Sequence, residues 1–200
     1  SPDDLFMLVF TSGTGGDPKA VRITHHKVTF PGRYLTDKLL LTPADVLYSA
    51  MPLFHSNGVM ASWAISVVNG CTVVLPASGR FSASRFIDEV RRGGATYANY
   101  VGKPLAHVLA TPQRPDDADN PLRIAFGNEA CEQAVRRFGE RFGCRVVDGF
   151  GSSENAVVVS RTPETPPGAL GVPQAGVKIL APDGRECPPA LTDAHGRITN

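Results

Sequence analysis

Short apolar runs rich in β-branched and aromatic residues alternate along this 200-residue chain with segments of helical periodicity. Parallel strands must be joined by long crossovers, usually helices, so the alternation predicts an α/β domain whose mainly parallel sheet is flanked by helices. A chain of this length is able to bury a sizeable core. The predicted strands occupy residues 5–11, 20–24, 45–50, 71–75, 95–98, 122–126 and 145–148.

Two segments between these strands have the apolar spacing of amphipathic helices. The first covers residues 82–93, and we expect Ser82 or Ser84 to cap its first turn, because a hydroxyl there accepts from an orphan N–H group. The second covers residues 131–142 and should end at Gly143, since glycine readily adopts the left-handed conformation that closes a helix. A further helix is predicted to begin at the pair His25-His26. Adjacent side chains diverge on a helix or a strand, so this pair is not interpreted as a metal site.

The sequence changes character near residue 170. Up to that point long α/β segments dominate, and beyond it short strands and turns such as Pro182-Asp183-Gly184 follow one another. We therefore predict an α/β subdomain over residues 1–169 and the start of a small β subdomain over residues 170–200. The first residues lead at once into a predicted strand and the last residues stop on one, so we expect the chain to be cut from a longer protein.

Composition narrows the class of protein. The chain is 42% apolar and 20% charged, with a net charge of +1, and it has no basic block that would favour nucleic acid binding. Its four cysteines are dispersed without a CxxC pair, which favours free thiols in a reducing cytoplasm. No apolar run approaches the ~18–20 residues of a membrane-spanning helix, and no signal peptide is evident.

A glycine-rich segment follows the first predicted strand, which we expect to be buried. Glycines adopt positive φ angles and let backbone N–H groups converge on phosphate oxygens, so the segment predicts a phosphate cradle. It is not a Walker A loop, because Pro18 and Ala20 occupy the positions that would need glycine and a hydroxyl. The segment consists of Thr11, Ser12, Gly13, Thr14, Gly15, Gly16, Asp17, Pro18 and Lys19.

This segment resembles the signature loop of the acyl-adenylate-forming (AMP-binding) superfamily, TSGTTG-x-PK, with Gly15 where a second threonine is common. The chain would then be the central part of the large N-terminal domain of such an enzyme. The resemblance implies that the loop holds the pyrophosphate side of ATP, that Lys19 is catalytic, and that Thr14 contributes to a Mg²⁺ site. The implied nucleotide-binding residues here are Thr11, Ser12, Gly13, Thr14, Gly15, Gly16 and Lys19.

Residues 51–58 resemble the PLFH-xx-G segment of the same superfamily, which opens a helix bordering the acyl pocket. The resemblance implies that His55 is catalytic, positioning the carboxylate or shielding the α-phosphate. The alternative is a histidine that only caps the helix. No aspartate stands at the start of this helix, where peptide-synthetase domains bind the substrate amine, so an amino acid substrate is disfavoured. Nearby, Trp63 is predicted to pack in a helix core, and lining an acyl tunnel is the alternative.

The segment after the strand at 122–126 resembles the glycine-rich turn that wraps the adenine in this superfamily. Gly127 fits the pattern, whereas Asn128 and Glu129 stand where glycine and alanine are commoner. Versions with asparagine resemble the fatty-acid-transport and very-long-chain acyl-CoA synthetase branch. The resemblance implies that all three residues bind the nucleotide.

Residues 147–155 resemble the superfamily pattern YG-x-TE. The resemblance implies that the ring of Phe150 stacks on adenine, that Asp148 accepts from the adenine amino group, and that Ser153 donates to the α-phosphate. Glu154 would be catalytic as a carboxylate ligand of Mg²⁺, which prefers oxygen donors. Gly149, Gly151 and Ser152 complete the implied nucleotide-binding set.

Together these segments, in the order of the superfamily, imply ATP-dependent activation of a carboxylic acid, most simply a fatty acid, to acyl-AMP and then acyl-CoA. The substrates would be the acid, ATP and CoA, with Mg²⁺ as the metal, in a cytoplasmic protein whose peripheral membrane association is left open. Alternatives are an aryl- or sterol-side-chain acid ligase and a non-enzymatic nucleotide-binding module. The ribose-binding aspartate and the C-terminal domain are expected beyond Asn200, so the 200 residues alone should not complete turnover.

Overall fold

Strands and helices alternate along the molecule, as the sequence predicts. The structure is a computed structural model, and it describes residues 1–11, 17–153, 158–162, 165, 169–173, 175–189, 191 and 193. The strands are β1 (Leu5–Thr11), β2 (Lys19–Thr24), β3 (Val46–Tyr48), β4 (Thr72–Val74), β5 (Tyr97–Val101), β6 (Ile124–Asn128), β7 (Arg145–Gly151), β8 (Val158–Ser160) and β9 (Val172–Pro173). The helices are α1 (His25–Leu39), α2 (Ser56–Gly58), a π-helical turn (Val59–Trp63), α3 (Ala64–Asn69), α4 (Phe86–Gly93), α5 (Pro104–Leu109) and α6 (Glu132–Phe142).

Strands β3 to β9 form one seven-stranded sheet in the order β4-β3-β5-β6-β7-β8-β9. The pairings from β4 through β7 are all parallel, and β8 and β9 extend the sheet with antiparallel pairings. Each predicted strand is observed, the first with the predicted ends and the others with shifted ends, and the α/β class with a mainly parallel sheet is confirmed. The expected subdomain boundary near residue 170 stays a prediction.

The strands β1 and β2 do not join this sheet but form a separate antiparallel hairpin, which we call the ribbon. The prediction that the first strand is buried is wrong: Val9 is buried, whereas Phe10 is 69% exposed. Successive side chains of a strand point to opposite faces, and both faces of β1 are apolar, so the sequence shows no alternation that would reveal an exposed face. The inner face packs in the ribbon cluster of Val9, Val21, Ile23, Val28, Val59, Met60 and Ala64.

Helix boundaries follow the predicted signals with one exception. Helix α1 begins at His25, as expected, and the hydroxyl of Thr24 accepts a hydrogen bond from the Lys27 N–H group at 3.3 Å. Helix α6 ends before Gly143, whose φ of 65° is the left-handed conformation expected there.

The expected serine cap of α4 is wrong. The helix begins at Phe86 without a side-chain cap, because a turn that bonds the Arg85 N–H group to the Ser82 carbonyl precedes it. The hydroxyl oxygens of Ser82 and Ser84 instead lie 3.3 Å from each other.

Apolar side chains cover both faces of the main sheet. On one face, the rings of Phe86, Phe138 and Phe142 pack together, with the centroids of the last two 4.7 Å apart. On the other face, Leu35 of α1 and Ile65 of α3 pack in a second cluster with strand residues. Fully burying each such side chain contributes about 1.5–3 kcal/mol, so the sheet is fixed between two layers of helices.

The segment from α2 to α3 packs closely against the preceding loop and against α1. A Cβ atom on Gly58 would come within 2.8 Å of the Met51 carbonyl oxygen, and one on Gly32 of α1 would come equally close to the Ala64 carbonyl. Trp63 packs as predicted, with its ring stacked on Phe6 at a centroid distance of 5.4 Å. Among the described residues, no helix has the length and apolarity that crossing a membrane requires.

Candidate active site

A cavity of about 300 Å³ opens at the carboxyl edge of the main sheet, between β6, β7 and the helices α1 and α2. Ligands of parallel α/β sheets typically bind outside this edge. Along β6 the wall changes from the apolar Phe126 to the polar Asn128, which points to the same side because side chains two residues apart share a face. The cavity thus combines a polar part at the sheet edge with an apolar part, to which Phe30, Tyr34 and Leu35 of α1 contribute.

His55 lies in the wall of this cavity at the start of α2. Its Nδ1 accepts a hydrogen bond from the Asn57 N–H group at 3.1 Å, so the ring caps the helix. A nitrogen that accepts is unprotonated, which assigns the proton of a neutral ring to Nε2. The capping alternative and the position in the cavity are therefore compatible, because one nitrogen caps the helix and the other is left for a ligand.

Two serines join segments that are far apart in sequence. The hydroxyl oxygens of Ser56, in α2, and Ser153, after β7, are 2.9 Å apart, and both residues line the cavity. Ser152 also lines the cavity, and its buried hydroxyl has no hydrogen-bond partner among the described residues. A buried polar atom without a partner is uncommon in folded proteins and fits a ligand oxygen at this position.

A chain of side-chain amides fixes the start of α2 to the sheet. The Nδ2 of Asn99, in β5, donates to the Oδ1 of Asn57 at 2.7 Å, and the Oδ1 of Asn99 accepts from the Ala50 N–H group at 2.8 Å. The Nδ2 of Asn57 reaches the Oδ1 of Asn128 at 3.4 Å, and Asn128 donates to the Gly149 carbonyl at 2.9 Å. These hydrogen bonds connect α2 to the neighbouring strands β5, β6 and β7.

Sequence reasoning missed Asn57 and Asn99. Asn99 is 1% exposed in the middle of the otherwise apolar run of β5, and Asn57 is 8% exposed. Asparagine is mostly found at protein surfaces, so a lone asparagine inside a predicted buried strand was the signal that could have identified it.

Asp148 lines the cavity but is already bonded within the protein. Its Oδ2 accepts from the Tyr100 hydroxyl at 2.8 Å and from the Ala130 N–H group at 3.1 Å. Burial raises the pKa of this carboxyl, and the two hydrogen bonds offset only part of the rise. Because both bonds end on Oδ2, Oδ1 is the oxygen left for the predicted adenine contact.

The glycine-rich turn predicted at residues 127–129 differs from expectation at its first two residues, because Gly127 and Asn128 both lie in β6. Gly127 is buried, and a Cβ atom there would come within 2.6 Å of the Tyr100 ring and closer still to the Tyr100 carbonyl oxygen. Close packing of β5 therefore requires glycine at this position. The turn itself falls on Glu129, which has a φ of 66° that side-chain-bearing residues rarely adopt, and Glu129 lines the cavity.

The last strand residues of β7 form the floor of the cavity. Gly149, Phe150 and Gly151 pair with β8 in antiparallel register. A Cβ atom on Gly149 would lie 3.1 Å from the Val159 carbonyl oxygen, so the strand approaches β8 closely there. Phe150 is 39% exposed and presents an aromatic ring to the cavity wall.

The residues of the predicted phosphate loop are only partly described. Thr11 and Lys19 are opposite each other in the register of the ribbon, as the last pair of its two strands. Both lie on the ribbon and outside the cavity wall as the described residues define it. Ser12, Gly13, Thr14, Gly15, Gly16 and Glu154 lie outside the described residues, and no group of three or more metal-binding side chains occurs within the described ranges.

The structure therefore brings together most of the sequence-predicted site residues that it describes. Those that line the cavity are His55, Asn128, Glu129, Asp148, Gly149, Phe150, Gly151, Ser152 and Ser153.

Comparison with known proteins identifies a matching family model and several relatives. The family model described as AMP-binding enzyme matches residues 1–199. A medium/long-chain-fatty-acid–CoA ligase of Mycobacterium marinum, FadD17, is 55% identical over 100% of this chain and 39% of its own length. A steroid-22-oyl-CoA synthetase of Rhodococcus jostii is 46% identical over 98% of this chain and 35% of its own length.

A solved structure shares the fold. The O-succinylbenzoate coenzyme A synthetase of Bacillus subtilis, in complex with ATP and a magnesium ion, superimposes with a TM-score of 0.75 at 28% identity, over 94% of this chain and 40% of that chain. The chain thus spans less than two fifths of the length of the curated relatives named above.

Proposed function

This chain belongs to the AMP-binding enzyme family, and from that premise we propose that the full-length protein activates a carboxylic acid with ATP and transfers the acyl group to coenzyme A. One observation carries the proposal: the cavity at the sheet edge joins the segment of His55 and Ser56 to the segment from Asp148 to Ser153. Polar donors at one part of the cavity and apolar side chains at another match an acid with a charged head and an apolar body.

The proposed reaction has two steps. A carboxylate oxygen of the acid bonds to the α-phosphorus of ATP while the bond from that phosphorus to the β-phosphate oxygen breaks, and pyrophosphate leaves. The coenzyme A sulfur, having lost its proton, then bonds to the acyl carbon, and AMP leaves. Negative charge grows on the phosphate oxygens in the first step, so preorganised donors at this position accelerate it.

The described residues supply such donors. The Nε2–H group of His55 donates to the carboxylate and holds it in line with the α-phosphorus. The Ser153 hydroxyl exchanges its contact with Ser56 for one with an α-phosphate oxygen, and the unpartnered Ser152 hydroxyl binds a further ligand oxygen. Phe150 stacks on the adenine ring, and Asp148 Oδ1 accepts from its amino group.

The phosphate loop completes the site on the pyrophosphate side. Lys19 neutralises the leaving pyrophosphate, together with Thr11, Ser12 and the N–H groups of the glycine-rich segment. Mg²⁺ supplies charge neutralisation when bound, and Glu154 and Thr14 hold it, since it prefers oxygen ligands. Asn128 and Glu129 border the adenine end, and Gly127 lets β6 pack closely on Tyr100 beneath them.

A fatty acid is the proposed substrate. The ligase of Mycobacterium marinum, at 55% identity, acts by its name on medium- and long-chain fatty acids, and the apolar side chains of α1 suit an alkyl chain. The second candidate is a steroid side-chain acid, which the name of the Rhodococcus jostii relative at 46% identity favours. We further propose that the protein works in the cytoplasm, and that residues 1–200 alone do not complete turnover.

The test is pyrophosphate exchange by the full-length protein with Mg·ATP and a panel of fatty, aryl, steroid side-chain and amino acids. Exchange with medium- or long-chain fatty acids is the expected result. Exchange with the steroid acids alone would replace the proposed substrate by the second candidate. Bound ATP without exchange for any acid would overturn the proposed reaction and leave a nucleotide-binding module.

The matched variants are Glu154→Gln and Glu140→Gln. The first removes the carboxylate assigned to Mg²⁺ and should abolish exchange, whereas the second changes an exposed carboxylate of α6 that is paired with Arg136 and should leave exchange unchanged. Equal exchange by both variants would remove Glu154 from the assigned role.

A further inference from the structure

A π-helical turn forms part of the cavity wall. Within Val59–Trp63 the helix widens, and the Ala64 N–H group donates to the Val59 carbonyl five residues earlier. Met60 and Ala61 of this turn line the cavity. Single π turns inside helices are rare and occur frequently at functional sites, so this turn calls for a physical cause.

A tyrosine of the sheet bonds to the middle of this turn. The hydroxyl of Tyr97, in β5, donates to the Ala61 carbonyl oxygen at 2.5 Å, and Tyr97 is completely buried. A side chain that inserts its donor into a helix bends or widens it at that point. Burial also raises the pKa of the Tyr97 phenol, so the hydroxyl keeps its proton and remains a donor.

The neighbouring side chains of the turn do not replace the hydrogen bond from Tyr97. Ser66 donates from its hydroxyl to the Trp63 carbonyl at 2.7 Å and so secures the far end of the turn. The hydroxyl of Ser62, the next residue after Ala61, is fully buried and has no hydrogen-bond partner among the described residues. Within the described part of the chain, the Tyr97 hydroxyl is thus the side-chain hydrogen bond that ties Ala61, at the centre of the turn, to the sheet.

We propose that Tyr97 is a positioning residue that sets the acyl wall of the cavity, through Ala61 and Met60, and thereby determines which acid chain lengths are accepted. This inference rests on the proposed function. Without the hydroxyl the turn relaxes toward the α-helical register, in which each residue is rotated by about 100° from the previous one, so both side chains move in the wall. Tyr97 itself touches no substrate and acts only through the two residues of the turn.

The test compares Tyr97→Phe with Tyr48→Phe in the full-length protein. Tyr48, in β3, is also fully buried, and its hydroxyl donates to the Glu89 carboxylate at 2.6 Å, but it packs against Phe86 in the core on the other face of the sheet. Both variants therefore lose one buried hydrogen bond of a tyrosine. The readout is the ratio of kcat/KM values across saturated fatty acids from octanoate to octadecanoate.

A wall that fits the chain discriminates roughly tenfold or more per mismatched methylene. We expect Tyr97→Phe to change the preferred chain length or to reduce that discrimination at least about threefold, while Tyr48→Phe keeps the wild-type ratios. Wild-type ratios in Tyr97→Phe, or the same change in both variants, would overturn the proposal.

A substitute variant and a wild-type control distinguish the remaining outcomes. If Tyr97→Phe does not fold, Met60→Leu alters the wall at nearly constant volume and should shift the ratios, and unchanged ratios would overturn the proposal. If the wild-type protein shows no exchange with any acid, the proposed function fails first. Wild-type activity with unchanged ratios in the variants contradicts this inference alone.

Discussion

The hydroxyl oxygens of Ser56 and Ser153 lie 2.9 Å apart, although 97 residues separate them along the chain. Ser56 is the first residue of α2, and Ser153 lies two residues beyond Gly151, the last residue of β7. Their contact marks the point where two sequence motifs, each recognisable separately, become one site. It also predicts that the two serines are unequal in function, because the motif assigns a phosphate contact to Ser153.

We expect Ser153→Ala to slow pyrophosphate exchange by about tenfold to a hundredfold, since a hydrogen bond to a charged group is worth about 1.5–3 kcal/mol. Ser56→Ala loses the same contact between the serines and should slow exchange far less. Steady-state exchange rates of both variants in the full-length protein measure the difference. Equal losses would show that the pair serves only to join the two segments.

Asn99→Leu should destabilise the protein and disorder the start of α2. The substitution leaves the Ala50 N–H group and the Asn57 Oδ1 without their partner, at about 1–3 kcal/mol for each unsatisfied group. Urea unfolding measures the loss. Asn69→Leu is the control, because Asn69 donates to the weakly accepting Cys71 sulfur and its replacement should cost much less. A comparable loss in both variants would contradict the importance of the amide chain.

Asp148 should make the protein less stable as the pH rises through the acidic range. Its pKa is raised by burial above the ordinary aspartate value of 3.8, so the folded state binds the proton more tightly than the unfolded state. The unfolding free energy therefore falls as the pH rises from 3.8 through the raised pKa. The difference between wild type and Asp148→Asn, measured by urea unfolding at several pH values, should show this slope, and a flat difference would contradict it.

Asp45 should show the opposite dependence. Burial pushes the pKa of Asp45 up, but hydrogen bonds from Thr96, Thr42 and Arg123 outweigh burial and lower it below 3.8. Its stabilising contribution is then complete above that value and is lost as the pH falls through the lowered pKa. The wild-type advantage over Asp45→Asn should therefore shrink at low pH. An advantage that grows as the pH falls would refute the assignment.

Gly127→Ala should destabilise the protein by about 1–3 kcal/mol or more, because the added methyl group meets the ring and carbonyl of Tyr100. Thermal or urea unfolding measures the loss. Gly79→Ala offers a contrast: Gly79 has a φ of 72° and nothing within 4 Å of the added carbon, so only the strain of the left-handed conformation, about 1 kcal/mol, is expected. A larger loss at Gly79 than at Gly127 would contradict the packing argument.

Local signals predicted most of the fold. The apolar runs located the strands, and Gly143 and His25 marked helix ends, because each of these signals acts over a few residues. The position of the ribbon could not be predicted in this way. The inner face of β1 packs on Val59 and Met60 of the π-helical turn, which is distant in sequence. Its outer face carries Phe10 and is as apolar as the inner face.

The motifs predicted much of the cavity wall but not what holds it in place. His55, Asp148 and Phe150 belong to recognisable segments, whereas β5 supplies the side chains that bond Asp148 and Asn57, the residue that His55 caps. Neither Tyr100, which bonds Asp148, nor Asn99, which bonds Asn57, carries a motif. Their roles arise from strand order, since β5 lies between β3 and β6 and so beneath both segments.

Met60 occupies two environments at once: it belongs to the ribbon cluster and to the wall of the cavity. The ribbon and the main sheet are separate sheets, so this flexible side chain lies between the hairpin that carries Lys19 and the cavity at the sheet edge. A substitution at position 60 therefore changes the packing beneath the ribbon and the shape of the cavity together.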